Sequence, residues 1–163
     1  MSTTMLVLEE EFEYDFSLIA IHCSLEDYRM AFMINKLMGL RLSRTKEDLS
    51  FKGYGFEVNF PRYHFEDEKK YITYNLLGNK FKARVDRSKI SSDLFAEIEH
   101  NAIKTINLVP EYKSADYLLL YDAHFKNTSI TLFLNKLKEI PQIITAYEIE
   151  VEELKSKKNL IFE

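Results

Sequence analysis

The chain has 163 residues, a formal charge of −4 and 46% hydrophobic residues. That is enough for a core of ordinary globular composition. The acidic balance argues against a non-specific nucleic-acid binder, which needs a basic surface to displace counterions. The lone cysteine, Cys23, excludes an intramolecular disulfide and fits a reducing compartment. The acidic Glu9, Glu10 and Glu11 are unlike a signal peptide. No apolar stretch approaches transmembrane length. The expected setting is cytoplasmic, off the membrane, with one domain over residues 1–163.

Residues 1–11 read as a polar lead-in with room for an edge strand over Met5 to Leu8. Phe16 to His22 is apolar on both faces, which places it as a central strand. Ser24 is positioned to cap a first helix, with Asp27 three residues on. Leu25, Tyr28, Phe32, Ile34, Leu37 and Met38 recur at helical spacing, and Gly39 is placed to end the helix in left-handed geometry. Leu40 to Leu42 reads as a short strand. Phe56 to Phe65 and Tyr71 to Leu77 alternate as a hairpin, joined by the acidic turn Glu66-Asp67-Glu68. Gly78-Asn79 is a turn signal. Phe95, Ile98, Ala102 and Ile106 predict an amphipathic helix over 92–107. Tyr117 to Asp122 is the most apolar strand. Asn127 and Thr128 are cap residues for a third helix, stopped after Ile140 by Pro141. Ile143 to Glu150 is the last strand, before a tail over 154–163.

Just ahead of Tyr117 lie Val109-Pro110-Glu111, three further residues, and Ala115-Asp116-Tyr117. Read physically, this is a strand entrance. Pro110 fixes φ and removes a backbone donor, and it pushes Val109 toward extended geometry. Glu111 and Asp116 are then turn carboxylates that bond backbone donors or a nearby cation. The sharper alternative is an acidic pair for catalysis. The order aliphatic-Pro-Glu, three residues, small-Asp-Tyr resembles the signature of the bacterial IPExxxVDY family. Asp27-Tyr28-Arg29 with Asn35, and the tail Leu154 to Phe162, resemble it as well, so the resemblance spans residues 12–162. It implies family membership, and the physical reading gives these positions a structural role. It brings no activity. It also implies a shorter segment around 92–107, so the helix there reads as an elaboration.

Residues 17–40 and 117–140 align without a gap: Leu18 meets Leu118, and Ile34-Asn35-Lys36-Leu37 meets Leu134-Asn135-Lys136-Leu137. Both segments read strand, helix, strand. The expected fold is therefore α+β, a ferredoxin-like (split βαβ) two-layer sandwich: a mainly antiparallel sheet with helices on one face, plus an inserted helix. Strands 16–22 and 117–122 are expected as parallel neighbours at its centre. On that geometry the last turn of helix 1, with Lys36 and then Arg41, returns to Glu111 and Asp116 as their partners. ACT-type ligand-sensing modules share this architecture, but a fold carries no function.

His22, Cys23 and His124 would then share one sheet edge, where they could supply ligands for a soft or borderline metal. They lack a fourth ligand and a recognised spacing. The aromatics Tyr54, Phe56, Phe60, Tyr63, Phe65, Tyr71 and Tyr74 could stack bases if they stood exposed on the sheet, but few basic residues accompany them. No nucleophile elbow, P-loop, dinucleotide fingerprint or metalloprotease helix is present, so no cofactor and no metal is expected. The reading that remains is a non-enzymatic interaction or small-ligand-binding module. Its partner is a protein or a small ligand, and it forms a homodimer through the sheet or its edge. The alternatives are an enzyme using Glu111/Asp116 or the His22/His124 edge, and RNA binding through the hairpin aromatics.

Overall fold

The computed structural model describes residues 15–53, 55–85, 102–125 and 130–162. Strand β1 (Ser17–Cys23) leads to helix α1 (Asp27–Met38). Four strands follow: β2 (Ser43–Arg44), β3 (Leu49–Phe51), β4 (Val58–Phe60) and β5 (Arg62–Asp67). Next come β6 (Ile72–Gly78), β7 (Lys80–Val85) and β8 (Ala102–Asn107). The chain ends with β9 (Tyr117–Ala123), α2 (Ile130–Leu137) and β10 (Ile143–Ile149). Six strands form one sheet in the order β10-β1-β9-β6-β5-β2. Every pairing in it is antiparallel. The fold is thus α+β with a large antiparallel sheet.

The double-sided apolar reading of β1 and β9 predicts their place. Both are interior strands, and Leu18 to Ile21 and Leu118 to Leu119 are fully buried. Each such side chain contributes about 1.5–3 kcal/mol by leaving water. On one face, Ile19, Ile21, Leu119 and Tyr121 pack against Met30, Ala31 and Ile34 of α1 and Leu137 of α2. On the other, Leu18, Ala20, Leu118 and Leu120 meet Val58 and Phe60 of β4, Ile106 of β8, and Leu154 and Leu160 of the C-terminal segment. The sheet is therefore covered on both faces, and the two-layer expectation gives way to three layers. Strands apolar on both sides require this.

Several expectations are corrected. The strands at 17–23 and 117–123 are neighbours, but they are antiparallel, with Ser17 opposite Tyr121 and Ile21 opposite Tyr117. After α1 the chain passes first to the edge strand β2 and reaches β6 only through β3, β4 and β5, whereas α2 leads directly from β9 to β10. In the sheet β9 separates β1 from β6 and β1 separates β9 from β10, so the members of each pair are parallel with an antiparallel strand between them. Ser24 is not the cap of α1, since Glu26 holds that position without a side-chain bond. Gly39 does end the helix at φ 68°. The buried stripe of α1 is Met30, Ala31 and Ile34, while Tyr28, Phe32 and Leu37 face solvent. This helix is apolar nearly all round, so periodicity could not choose the face. Leu40 to Leu42 is not a strand, and pairing starts at Ser43. Pro61 divides the expected 56–65 strand into β4 and β5, which lie in different sheets.

Residues 102–107 are strand β8, paired with β7, instead of the end of a helix. The rest of the 92–107 stretch lies outside the described residues, as do Met5 to Leu8, Tyr54, Asn127 and Thr128. No helix among the described residues is long and apolar enough to cross a membrane.

Candidate functional site

Because β1 and β9 are antiparallel, the entrance of β9 lies beside the exit of β1 and the start of α1. The motif is built into that corner. Val109 is fully buried and extended at φ −119°, ψ 94°, and Pro110 opens a 3-10 turn over Pro110–Tyr112. Asp116 Oδ2 accepts the Cys23 N–H at 2.8 Å, and Oδ1 pairs with Lys80 Nζ at 2.9 Å. The Asp116 N–H donates to the Ile21 carbonyl at 2.9 Å. Asp116 thus splices the two central strands where their ladder ends. The Tyr117 hydroxyl donates to the Leu25 carbonyl at the start of α1. Burial, and then the charge of Asp27, pushes its pKa well up.

Glu111 lies farther out. Its Oε2 accepts the N–H groups of Lys155 at 2.7 Å and Ser156 at 3.2 Å, pinning the C-terminal segment to the motif. Burial pushes this carboxyl up, but hydrogen bonds from Ser156 and the Lys155 amide outweigh it and hold the pKa below its ordinary value. Both acids are therefore anchors, but Lys36 and Arg41 are not their partners. The antiparallel pairing sets the motif beside the beginning of α1, not its end.

The other positions carrying the resemblance divide. Asp27 Oδ2 accepts the Tyr63 hydroxyl at 3.0 Å and Arg44 Nη1 at 3.0 Å. The same guanidinium holds Asp48 at 2.8 Å. Asn35 clamps Leu42, donating to its carbonyl at 3.0 Å and accepting its N–H at 2.8 Å. Tyr28 and Arg29 are exposed.

The residue that sequence reasoning missed is Asn79, whose side chain is fully buried. Its Nδ2 donates to the carbonyls of Tyr112 at 3.0 Å and Ala115 at 2.9 Å, and its Oδ1 accepts the Val109 N–H at 2.9 Å. Its backbone N–H donates to the Asp116 carbonyl, and its carbonyl accepts the Leu108 N–H, both at 3.0 Å. One amide therefore satisfies the interior of the whole motif. The sequence signal was Gly78-Asn79 following an apolar strand, which also describes an ordinary surface turn. Gly78 has its own reason: a Cβ there would lie 2.8 Å from the ring of Pro61.

The histidine edge does not assemble. His22 and Cys23 lie at the motif end of the sheet, where His22 Nε2 bonds the Tyr147 hydroxyl at 3.0 Å. His124 follows the exit of β9 at the opposite end. No group of three or more potential metal ligands occurs among the described residues. Cys23 is buried, and burial raises its pKa, against a nucleophilic role. Of the described hairpin aromatics, Phe60, Tyr63 and Tyr74 are buried, Phe56 and Phe65 are half-buried, and Tyr71 is exposed.

What this corner leaves open is a cleft of about 470 Å³. Its walls are Cys23 to Asp27 at the β1–α1 turn, Arg44, Pro61, Gly78, Lys80, Lys82, Asp116 and Tyr117. Three cations (Arg44, Lys80 and Lys82) and three acids (Glu26, Asp27 and Asp116) line it. Asp116 and Asp27 are fixed by the bonds above. A larger hollow of about 840 Å³ lies alongside, between Arg44–Ser50 and Glu57 and Asn59. Its walls are mainly the loop between β2 and β3, where Asp48 is paired with Arg44. Comparison with protein-family models, curated proteins and solved structures finds no significant match.

Proposed function

We propose that this protein is a non-enzymatic binding module of the IPExxxVDY family, cytoplasmic, whose small-ligand site is the cleft between the β1–α1 turn and Lys80. Its framework reads as ferredoxin-like. In support, the strands β10-β1-β9-β6 interleave two β-α-β units whose helices share one face. On this reading β2 and β5 extend the sheet and β7–β8 is an insertion.

The observation that carries the functional reading is the balanced lining of the cleft, with its motif residues already committed. Asp27, Asp116 and Tyr117 each hold a partner from a different stretch of chain. None of them is poised beside an activated nucleophile. Glu111 is outside the cleft, bound to the C-terminal segment. A catalytic pair of Glu111 and Asp116 would need both carboxylates to face one substrate. The cleft lining carries both charge signs, with Asp27 paired to Arg44 and Asp116 to Lys80, and it suits a small molecule that carries both, such as a free amino acid. The volume is within the range of ligand sites, but the polar walls imply modest affinity. RNA binding lacks its platform, because the sheet is covered on both faces.

The test is a thermal-shift titration against amino acids, with their decarboxylated and deaminated analogues as controls. The zwitterions should raise the midpoint and the singly charged analogues should not. Lys82→Glu, on an exposed side chain, should abolish the response without lowering the unliganded midpoint. Equal responses to all analogues would sink the proposal.

A further inference from the structure

The two edges of the main sheet are built differently. One is closed by β2, a two-residue strand whose Arg44 is locked to Asp27 and Asp48. The other is β10, seven residues long. Among the described residues, β10 pairs only with β1. A long edge strand normally carries lysines, prolines or an inward charge that blocks pairing with another chain. Here the strand is Ile-Ile-Thr-Ala-Tyr-Glu-Ile, and Glu148 is its single charge. Ile144 is 79% exposed. It sits where the register with β1 slips, between the pairs His22–Thr145 and Cys23–Ile143. The regular, free length is therefore Thr145 to Ile149.

From this edge we infer that the protein self-associates, two copies joining β10 to β10 antiparallel about a two-fold axis, so that the sheets become continuous. The occupant is a second copy because the strand is complementary to itself reversed. With Tyr147 on the axis, Thr145 lies opposite Ile149 and Glu148 lies opposite Ala146, so the like charges do not meet. The flanks match as well. Exposed Lys136 and Lys138, with Glu139, come just before β10, and exposed Glu150, Glu152 and Glu153 come just after. Antiparallel pairing brings the basic end of one copy to the acidic end of the other, twice over, as an isologous interface must. A parallel partner strand would set acid beside acid. Tyr147 is held in place by its bond to His22, so the strand is already ordered for pairing.

The test is sedimentation equilibrium of the full chain over a concentration series, together with hydrogen exchange of the β10 amides. Wild type should show a monomer–dimer equilibrium. Exchange at those amides of Thr145 to Ile149 that do not bond β1 should slow as the dimer fills. Lys136→Glu with Lys138→Glu should weaken association about tenfold or more, as opposed rim charges do. Adding Glu150→Lys, Glu152→Lys and Glu153→Lys to the same chain should restore it to within about threefold. These side chains are exposed, so circular dichroism should be unchanged throughout. A wild type that stays monomeric at every concentration overturns the inference. So does slow exchange of these amides in the monomer, which would mean the chain covers its own edge. A dimer indifferent to both sets of charge changes would place the interface elsewhere and equally overturn it.

Discussion

Asn79→Ala is the sharpest perturbation of this fold. The substitution removes the amide that holds the Val109 N–H and the carbonyls of Ala115 and Tyr112. Tyr112 keeps one partner, because its carbonyl also accepts the Ala115 N–H at 3.1 Å. Val109 and Ala115 are fully buried, so their orphaned groups cannot turn to water. Each buried unsatisfied group costs about 1–3 kcal/mol, and two of them give about 4 kcal/mol. For a chain of this size that is a fall in melting temperature of roughly 10 °C. The assay is urea unfolding followed by circular dichroism, with the slope unchanged and the midpoint lowered. Asn79→Asp sharpens the test. Its carboxylate would face two carbonyls in a buried site, so its folded pKa must be raised above the unfolded value. The variant's deficit against wild type should then shrink as pH falls and grow as pH rises through that pKa. A loss below about 1 kcal/mol for Asn79→Ala would refute the hub, since even one orphaned group should cost that much.

Gly78→Ala should cost about 1–3 kcal/mol by overpacking against the Pro61 ring; adding Pro61→Ala should return part of it, and additive losses would show that the contact is not the cause. Asn35→Ala should cost about 1–3 kcal/mol, because both backbone groups of buried Leu42 lose their partner; equilibrium unfolding checks this. The pKa of Glu111 is lowered in the folded state, so its contribution is present above the ordinary carboxylate value and is lost as pH falls through the folded one. Glu111→Gln should therefore flatten the acid limb of the stability–pH curve and quicken exchange of the Lys155 and Ser156 amides. An unchanged acid limb would remove the anchor role.

The sequence disclosed what is encoded locally and hid what depends on direction. β1, β9, β10 and the β5–β6 hairpin were legible because a fully buried or alternating run announces itself over a few residues. Gly39 was legible because left-handed geometry narrows the choice of residue. The relative direction of β1 and β9 was not, because buried runs read the same both ways, and this error moved the motif to the wrong end of α1. The misreading of 102–107 has a similar origin. Ala102 and Ile106 are four apart, which places them on one face of a helix and equally on one face of a strand. The role of Asn79 depends on Tyr112 and Ala115, more than thirty positions away. Nothing near Asn79 in the chain distinguishes a buried amide from a turn residue. Glu111 and Asp116 stood out in the sequence, while their partners Lys80, Cys23, Lys155 and Ser156 were set by topology.

The most direct measurement of the central claim is a two-dimensional amide NMR titration with a zwitterionic amino acid that raises the melting midpoint. The account predicts saturable shifts confined to Cys23 through Asp27, Lys80, Lys82, Asp116 and Tyr117, with the compound recovered unchanged. Shifts centred elsewhere, or conversion of the compound during the titration, would contradict it.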